Sequence, residues 1–114
     1  MTIREKQSVF ARNIARLIQF AYAEGYEVTF GEAWRPPETA AMYAADGRGI
    51  SNSLHTQRLA VDFNLFFDGK WLQDSASFGL LGAYWKTLHP DNRWGGDFRK
   101  PDGCHFSMTH GGVS

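Results

Sequence analysis

Two short segments of the 114-residue chain carry residue types that bind metal ions. In the first, His55 precedes Asp62 by seven residues, and Asp62 lies between two apolar residues. A carboxylate in an apolar strand is costly to bury unless it is paired or bound to a metal. In the second, Asp102 precedes His105 by three residues. Two imidazoles and one carboxylate are a common ligand set for catalytic zinc, so His55, Asp62 and His105 are predicted to hold one zinc ion.

Asp102 is the candidate for a catalytic acid and base. A catalytic zinc ion keeps one position open for water and lowers the pKa of that water to about 7. A nearby carboxylate can accept the proton and return it to a leaving amine. Spacing alone is a weak signal. The alternative is that both histidines are surface or hydrogen-bonded residues and that Asp62 is a turn or capping residue.

The composition narrows the class of protein. Lys and Arg number 12, and so do Asp and Glu, so the formal net charge is zero. This balance argues against a nucleic-acid-binding domain and against a polybasic membrane anchor. The single cysteine, Cys104, excludes an internal disulfide and a cysteine-rich zinc site. A 43% hydrophobic content can form one core, so a single domain over residues 1–114 is expected, without a linker or second module.

The hydrophobic pattern predicts the elements that must position these residues. A capping box of Thr2 and Glu5 followed by apolar residues at helical spacing predicts a helix over 3–24, within an N-terminal segment 1–25 that packs on the domain. Further helices are predicted over 38–45 and 78–88, the latter capped by Ser75 or Ser77, and strands over 26–34, 59–67, 70–72 and 105–108. Asp68-Gly69 predicts a hairpin, which favours an antiparallel α+β domain.

The connecting segments complete the prediction. Residues 47–57, which include Ser51, Asn52 and Ser53, are predicted to form a loop that ends near His55. The N-terminus is polar and lacks an apolar signal core, and no apolar run approaches the roughly 20 residues that span a bilayer. We therefore expect synthesis in the cytoplasm without a signal peptide, and no membrane insertion.

Taken in order, the motifs resemble the D-Ala-D-Ala carboxypeptidase family of zinc peptidases. The matching motifs are Ser53-x-His55 with Asp62 seven residues on, Trp94-Gly95-Gly96-Asp97, and Asp102-x-x-His105-Phe106, within residues 26–108. Several separated motifs in the same order are more specific than any one of them. The Gly-Gly-Asp-aromatic motif and the acidic residue three before the last histidine resemble the phage L-alanyl-D-glutamate endolysins. One departure is Arg58, where many members have glycine; it could crowd the cleft, contact an anionic peptide or point to solvent.

The resemblance implies a small antiparallel sheet with helices packed against it, of the D-Ala-D-Ala carboxypeptidase/Hedgehog-like type. It implies that His55, Asp62 and His105 are the zinc ligands and that Asp102 is the catalytic acid and base.

Three further residues receive an implied or tentative role. Arg35 matches an arginine that faces the substrate carbonyl or carboxylate in the family, where it would stabilise an oxyanion; the alternative is a salt bridge to Glu32 or Glu38. Ser53 either hydrogen-bonds near the site or is a loop serine. Asp97 either orients a metal ligand or caps the Gly-Gly turn.

The function implied is a zinc metallopeptidase that hydrolyses peptidoglycan stem peptides, as an L-alanyl-D-glutamate endopeptidase and phage or prophage endolysin. Such an enzyme waits in the cytoplasm until a holin-type pore releases it to the wall, which suits a chain without a signal peptide. The alternatives are a D-alanyl-D-alanine carboxypeptidase, which would ordinarily need export, and a non-catalytic wall-peptide-binding or phage structural module. We expect a monomer without a wall-binding domain, whose partner is the stem peptide and neither nucleic acid nor membrane.

Overall fold

The computed structural model describes residues 1–50 and 53–114, so Ser51 and Asn52 of the predicted loop lie outside the described residues. The first helix, α1, spans Ile3–Ala23 and begins with the predicted capping box. The Thr2 hydroxyl accepts a hydrogen bond from the backbone of Glu5, and the Glu5 carboxylate accepts one from the backbone of Thr2. The buried face of α1 consists of Phe10, Asn13, Ile14, Leu17 and Ala21.

Five antiparallel strands form one sheet, which confirms the predicted α+β fold. The strands are β1 (Glu27–Phe30), β2 (Ala60–Phe67), β3 (Lys70–Leu72), β4 (Asn92–Trp94) and β5 (His105–Met108). The order is β1-β2-β5-β4, and β3 also pairs with β2. Strand β2 is therefore central, since it pairs with three neighbours. Strand β1 is shorter than the predicted 26–34, and β4 was not predicted.

Two helices of the described chain are shorter than α1. Helix α2 spans Pro37–Ala45, close to the predicted range 38–45, with a proline in its first turn. Helix α3 spans Gly79–Thr87 and follows a 3₁₀ turn at Ser75–Phe78. The Ser77 hydroxyl donates to the Asp74 carboxylate within that turn. The predicted serine cap is wrong, because the N-cap residue of α3 is Phe78, which makes no side-chain cap bond. Other 3₁₀ turns lie at Leu54–Gln57 and Gly95–Asp97.

The core fills the space between the sheet and helices α1 and α3. Trp85 of α3 is fully buried and makes edge-to-face contacts with Phe10 of α1 and Phe106 of β5. Its indole nitrogen donates to the backbone oxygens of Arg93 and Ser107, 2.9 and 3.2 Å away. These contacts fix α3 against β4 and β5. Within the described residues, no helix has the length and apolar character needed to cross a membrane.

Candidate metal centre

Strand pairing brings Asp62 and His105 together. The two residues lie directly opposite each other in the antiparallel ladder of β2 and β5, so their side chains project from the same face of the sheet. His105 Nδ1 lies 3.2 Å from Asp62 Oδ1, although 43 residues separate them in the chain. A non-local backbone pairing therefore positions two of the three predicted ligands.

The third predicted ligand, His55, lies in the 3₁₀ turn at Leu54–Gln57. The Ser53 hydroxyl caps this turn by accepting a hydrogen bond from the His55 backbone nitrogen, at 3.3 Å. Buried Leu54 fixes the turn to the core. As a result, His55 Nε2 lies 3.5 Å from Asp62 Oδ1. Ser53 thus contacts the backbone of a predicted ligand, as a residue hydrogen-bonding near the site would.

The geometry of these three side chains fits a zinc ion. Their ligand atoms all lie within 4.8 Å of one another, and the two imidazoles are 3% and 8% exposed. Tetrahedral zinc with ligand bonds of 2.0–2.2 Å separates its ligand atoms by about 3.3–3.6 Å. The Asp62 oxygen lies 3.5 Å from His55 and 3.2 Å from His105, close to that range. The two histidines and the aspartate therefore match the ligand set and the spacing of a zinc site.

The electrostatics of the cluster keep Asp62 ionised. Burial alone would raise the pKa of its carboxyl group, but hydrogen bonds from His105 and His55, together with the charges of both rings, outweigh burial. The net effect lowers the pKa of Asp62 to about 2. The carboxylate is therefore an anion at neutral pH, as metal binding requires.

An open cleft of about 220 Å³ lies over the cluster, and Asp102 lines it. A carboxylate oxygen of Asp102 lies within 4.8 Å of one from Asp62. The backbone carbonyl of Asp102 accepts a hydrogen bond from the His105 nitrogen, at 3.0 Å, so one tight turn carries both residues. The structure thus brings the predicted acid and base to the predicted ligands, in a position that solvent and substrate can reach.

The Trp-Gly-Gly-Asp motif packs against the turn that carries Asp102 and His105. A Cβ atom on Gly95 would lie 2.0 Å from the Asp102 carbonyl oxygen and 2.8 Å from the Cβ of His105, so only glycine fits there. The Gly95 carbonyl accepts from the Asp102 nitrogen at 2.8 Å. The Trp94 indole donates to the Gly103 carbonyl, also at 2.8 Å. The motif therefore acts on the site through packing and backbone hydrogen bonds.

Arg35 lines the same cleft and is also paired with Glu32. Its Nη2 donates to Glu32 Oε1 at 2.5 Å, and its backbone nitrogen donates to the His55 carbonyl at 3.1 Å. The two interpretations drawn from the sequence are thus compatible. The same Glu32 oxygen lies 3.5 Å from His55 Nδ1. From the sequence, Glu32 is expected only as a salt-bridge partner of Arg35, because its approach to His55 depends on the tertiary fold.

Asp97 lies apart from the predicted ligands. Its carboxylate accepts a hydrogen bond from Lys86 Nζ at 2.7 Å, on an exposed part of the surface.

Cys104 lies closer to the site, because its thiol donates to Asp102 Oδ1 at 3.2 Å. Burial, the charge of Asp62 and the hydrogen bond to Asp102 raise the pKa of Cys104 to about 12. The thiol is therefore protonated at neutral pH and can act as a donor.

Arg58 lies outside the metal cleft. It ends the 3₁₀ turn with a left-handed backbone, φ 56° and ψ 35°, a conformation that favours glycine. Its guanidinium stacks on the Trp34 ring, 4.6 Å from the ring centre. Both residues line a separate, largely apolar groove of about 410 Å³ beside α1. Glycine, which the family resemblance implies for many members at this position, would adopt this backbone without strain.

Comparison with known proteins agrees with the fold and with the class of zinc peptidases. The family described as D-alanyl-D-alanine carboxypeptidase matches residues 46–108, more than half of the chain and a range that contains His55, Asp62, Asp102 and His105. No curated protein matches the sequence.

Two crystal structures share the fold. The L-Ala D-Glu endopeptidase ChiX of Serratia marcescens aligns with a TM-score of 0.70 and 18% identity, over 93% of this chain and 85% of that one. A mutant of the vancomycin resistance D,D-pentapeptidase VanY from a VanB-type cassette, in complex with Zn(II), aligns with a TM-score of 0.60 and 17% identity, over 89% of this chain and 71% of that one. With the family match spanning the whole ligand cluster, the chain belongs to the D-alanyl-D-alanine carboxypeptidase family of zinc peptidases.

Proposed function

We propose that this zinc peptidase hydrolyses peptidoglycan stem peptides at the bond between L-alanine and D-glutamate, as a phage or prophage endolysin. The observation that carries the proposal is the position of Asp102, in an open cleft beside the His55, Asp62 and His105 cluster. A metal cluster without an adjacent carboxylate would suit a binding module equally well. A carboxylate that substrate can reach favours hydrolysis.

The residues of the site would have different roles in peptide hydrolysis. His55, Asp62 and His105 would hold zinc, which supplies a Lewis acid that polarises a carbonyl and acidifies water. Asp102 would accept a proton at its carboxylate and deliver it to the leaving amine. The Arg35 guanidinium lines the cleft and would orient the substrate carbonyl and stabilise the negative charge that develops on its oxygen.

The charge of the cleft suits a substrate that carries a carboxylate. Arg35 and Arg48 both line the cleft, and their guanidinium groups lie 5.0 and 4.5 Å from the centre of the Tyr43 ring. Stacking on an aromatic ring restrains a guanidinium. The Nη2 atom of each arginine is already paired, with Glu32 for Arg35 and with Asp46 for Arg48, so a substrate carboxylate would bind the remaining donors. The D-glutamate of a stem peptide offers a carboxylate beside the proposed bond. A terminal D-alanine offers one too, so D-alanyl-D-alanine carboxypeptidase activity is the second candidate.

The endopeptidase assignment draws on the motif beneath the site. Trp94-Gly95-Gly96-Asp97 is followed by an aromatic residue, Phe98, and Asp102 lies three residues before His105. This arrangement resembles the endolysin branch of the family. As an endolysin, the protein would be made in the cytoplasm as a monomer and would reach the wall after release through a membrane pore. Expression in a bacterial host with and without a holin tests this location, since lysis should require the holin.

The decisive experiment identifies the bond that is cut. Purified protein loaded with zinc is incubated with peptidoglycan, and new amino termini and free D-alanine are measured with and without a chelator. New N-terminal D-glutamate that disappears with chelator is the expected result. Release of free D-alanine would replace the proposal with carboxypeptidase activity. An unchanged wall in the presence of zinc-loaded protein would refute both enzymatic functions.

The role of Asp102 has its own test. Asp102→Ala should bind zinc with normal affinity but lose about 100- to 10,000-fold in turnover, the usual contribution of a general acid and base. Asp97→Ala is a matched control, because it removes an exposed aspartate paired with Lys86 and should change neither property. Loss of zinc from Asp102→Ala would show that Asp102 is a ligand, and normal turnover would show that it moves no proton.

A further inference from the structure

We propose that Glu32 is a positioning residue that holds the metal ligand His55 and the substrate-facing Arg35 in one arrangement. The part that concerns Arg35 rests on the proposed function, whereas the part that concerns His55 rests on the metal site alone.

The backbone around Glu32 is fixed to a predicted metal ligand. Beyond the end of β1, the Gly31 nitrogen donates to the Asp62 carbonyl, and the Asp62 nitrogen donates to the Glu32 carbonyl, both at 2.8 Å. A Cβ atom on Gly31 would lie 3.1 Å from the same Asp62 carbonyl oxygen, so the two chains are closely packed here. The Glu32 side chain therefore leaves from a backbone position that is fixed relative to Asp62.

One oxygen of Glu32 faces both functional side chains. Glu32 Oε1 lies 2.5 Å from Arg35 Nη2 and 3.5 Å from His55 Nδ1. The side chains of Glu32 and Arg35 are only 28% and 13% exposed, so water screens this pair less than it would an ion pair at the surface. Because the opposite nitrogen of His55, Nε2, faces Asp62, the two ring nitrogens of His55 have separate partners.

A carboxylate in this position selects the form of His55 that can bind metal. A neutral imidazole carries its proton on one nitrogen and offers a lone pair on the other. In the metal-free protein Nε2 faces Asp62 and bonds to it. If a metal took the lone pair of Nε2 instead, an acceptor beside Nδ1 would hold the remaining ring proton there. Nδ1 is buried and, within the described part of the chain, makes no hydrogen bond, while the Glu32 carboxylate lies 3.5 Å away as an available acceptor. Glu32 is thus the residue placed to fix both the tautomer and the ring orientation.

The same carboxylate restrains Arg35. Without it, the guanidinium would keep its stacking contact with Tyr43, 5.0 Å from the ring centre, but would lose its charged partner. Removal of Glu32 should therefore weaken two properties at once, namely zinc affinity through His55 and substrate turnover through Arg35. Removal of Arg35 should weaken only turnover. This difference separates a shared positioning role from a simple salt bridge.

The test measures zinc affinity and turnover separately in Glu32→Ala, Glu32→Gln and Arg35→Ala. Zinc affinity is measured by competition between metal-free protein and a chromophoric chelator. Glu32→Ala should bind zinc about 10- to 100-fold more weakly, the usual effect of removing a group that orients a metal ligand. Glu32→Gln should lose less, because its amide oxygen still accepts a hydrogen bond. At saturating zinc, kcat/KM of Glu32→Ala should stay at least about tenfold low, because Arg35 is released.

Glu38→Gln is the matched control, since Glu38 is an exposed glutamate in the first turn of α2. Wild-type zinc affinity in Glu32→Ala would overturn the role at His55, and full recovery of kcat/KM at saturating zinc would overturn the role at Arg35. If Glu32→Ala does not fold, Glu32→Met decides both points, because it keeps the length of the side chain and removes both acceptor oxygens. Inactivity of the wild-type protein on peptidoglycan would refute the proposed function without altering the zinc measurement.

Discussion

Replacement of Gly95 with alanine should disable the metal centre by displacing the turn that carries Asp102 and His105. The added Cβ would lie 2.0 Å from the Asp102 carbonyl oxygen. Close contacts between carbon and carbonyl oxygen are ordinarily about 3.3 Å, so the carbonyl must move by roughly 1 Å. Overpacking of this kind destabilises a protein by about 1–3 kcal/mol. Misplacement of a catalytic group by about 1 Å can lower the rate roughly 100-fold.

Three measurements test this prediction. Gly95→Ala should lower Tm by several degrees, weaken zinc affinity and reduce the hydrolysis of peptidoglycan roughly 100-fold. Gly79→Ala is the matched control, because the residue begins α3 and, among the described residues, no atom beyond its chain neighbours and its own helix backbone lies within 4 Å of the added Cβ. This variant should be at least as stable as the wild type. If Gly95→Ala kept normal zinc affinity and turnover, the Gly-Gly-Asp motif would not act through packing beneath the turn.

Three further predictions follow from the charges of the site. Because the pKa of Asp62 is lowered to about 2, its carboxylate should stay ionised in the metal-free protein well below the ordinary pKa of 3.8. An NMR titration of the Asp62 carboxyl carbon checks this, and a midpoint at or above the ordinary value would contradict the lowered pKa. With a pKa of about 12, Cys104 in metal-free protein should react with iodoacetamide at pH 8 about a thousandfold more slowly than in urea; rapid alkylation of the folded protein, measured by mass spectrometry, would refute the raised pKa. Arg48→Ala should raise KM roughly two- to fivefold for a peptide that carries a free carboxylate, without changing zinc affinity. The control substrate is the same peptide with that carboxylate amidated. An equal rise in KM for the amidated peptide would exclude a role of Arg48 in carboxylate binding.

The elements that were predicted correctly carry strong local patterns. The capping box and apolar spacing of α1 are properties of one continuous segment. Strand β2 is an apolar run around Asp62, followed by the Asp68-Gly69 turn, and this local pattern is sufficient to identify the hairpin with β3. The proposed ligands could also be selected, because the carboxylate of Asp62 lies in an apolar strand and the order of the motifs matches a family.

The elements that were missed depend on distant contacts. Strand β4 has three residues and is defined by its pairing with β5, so no local period reveals it. The 3₁₀ turn at Leu54–Gln57 is stabilised by its cap and by the burial of Leu54. The contacts of Glu32 arise because the chain beyond β1 continues to bond with Asp62 while its side chain turns towards His55. Spacing in the sequence contains no information about such an approach.

The left-handed backbone at Arg58 has a consequence for how relatives of this protein should differ from it. A side chain in that conformation is disfavoured by about 1–2 kcal/mol, and stacking on an aromatic ring can offset about 0.5–1 kcal/mol. In this chain the ring belongs to Trp34, which is 44% exposed. The two positions should therefore covary. In relatives with glycine at the position of Arg58, an aromatic residue at that of Trp34 would have no guanidinium to stack on and would not contribute this stabilisation. Paired replacement at these positions would mark a lineage within the family, independently of the residues that hold the metal.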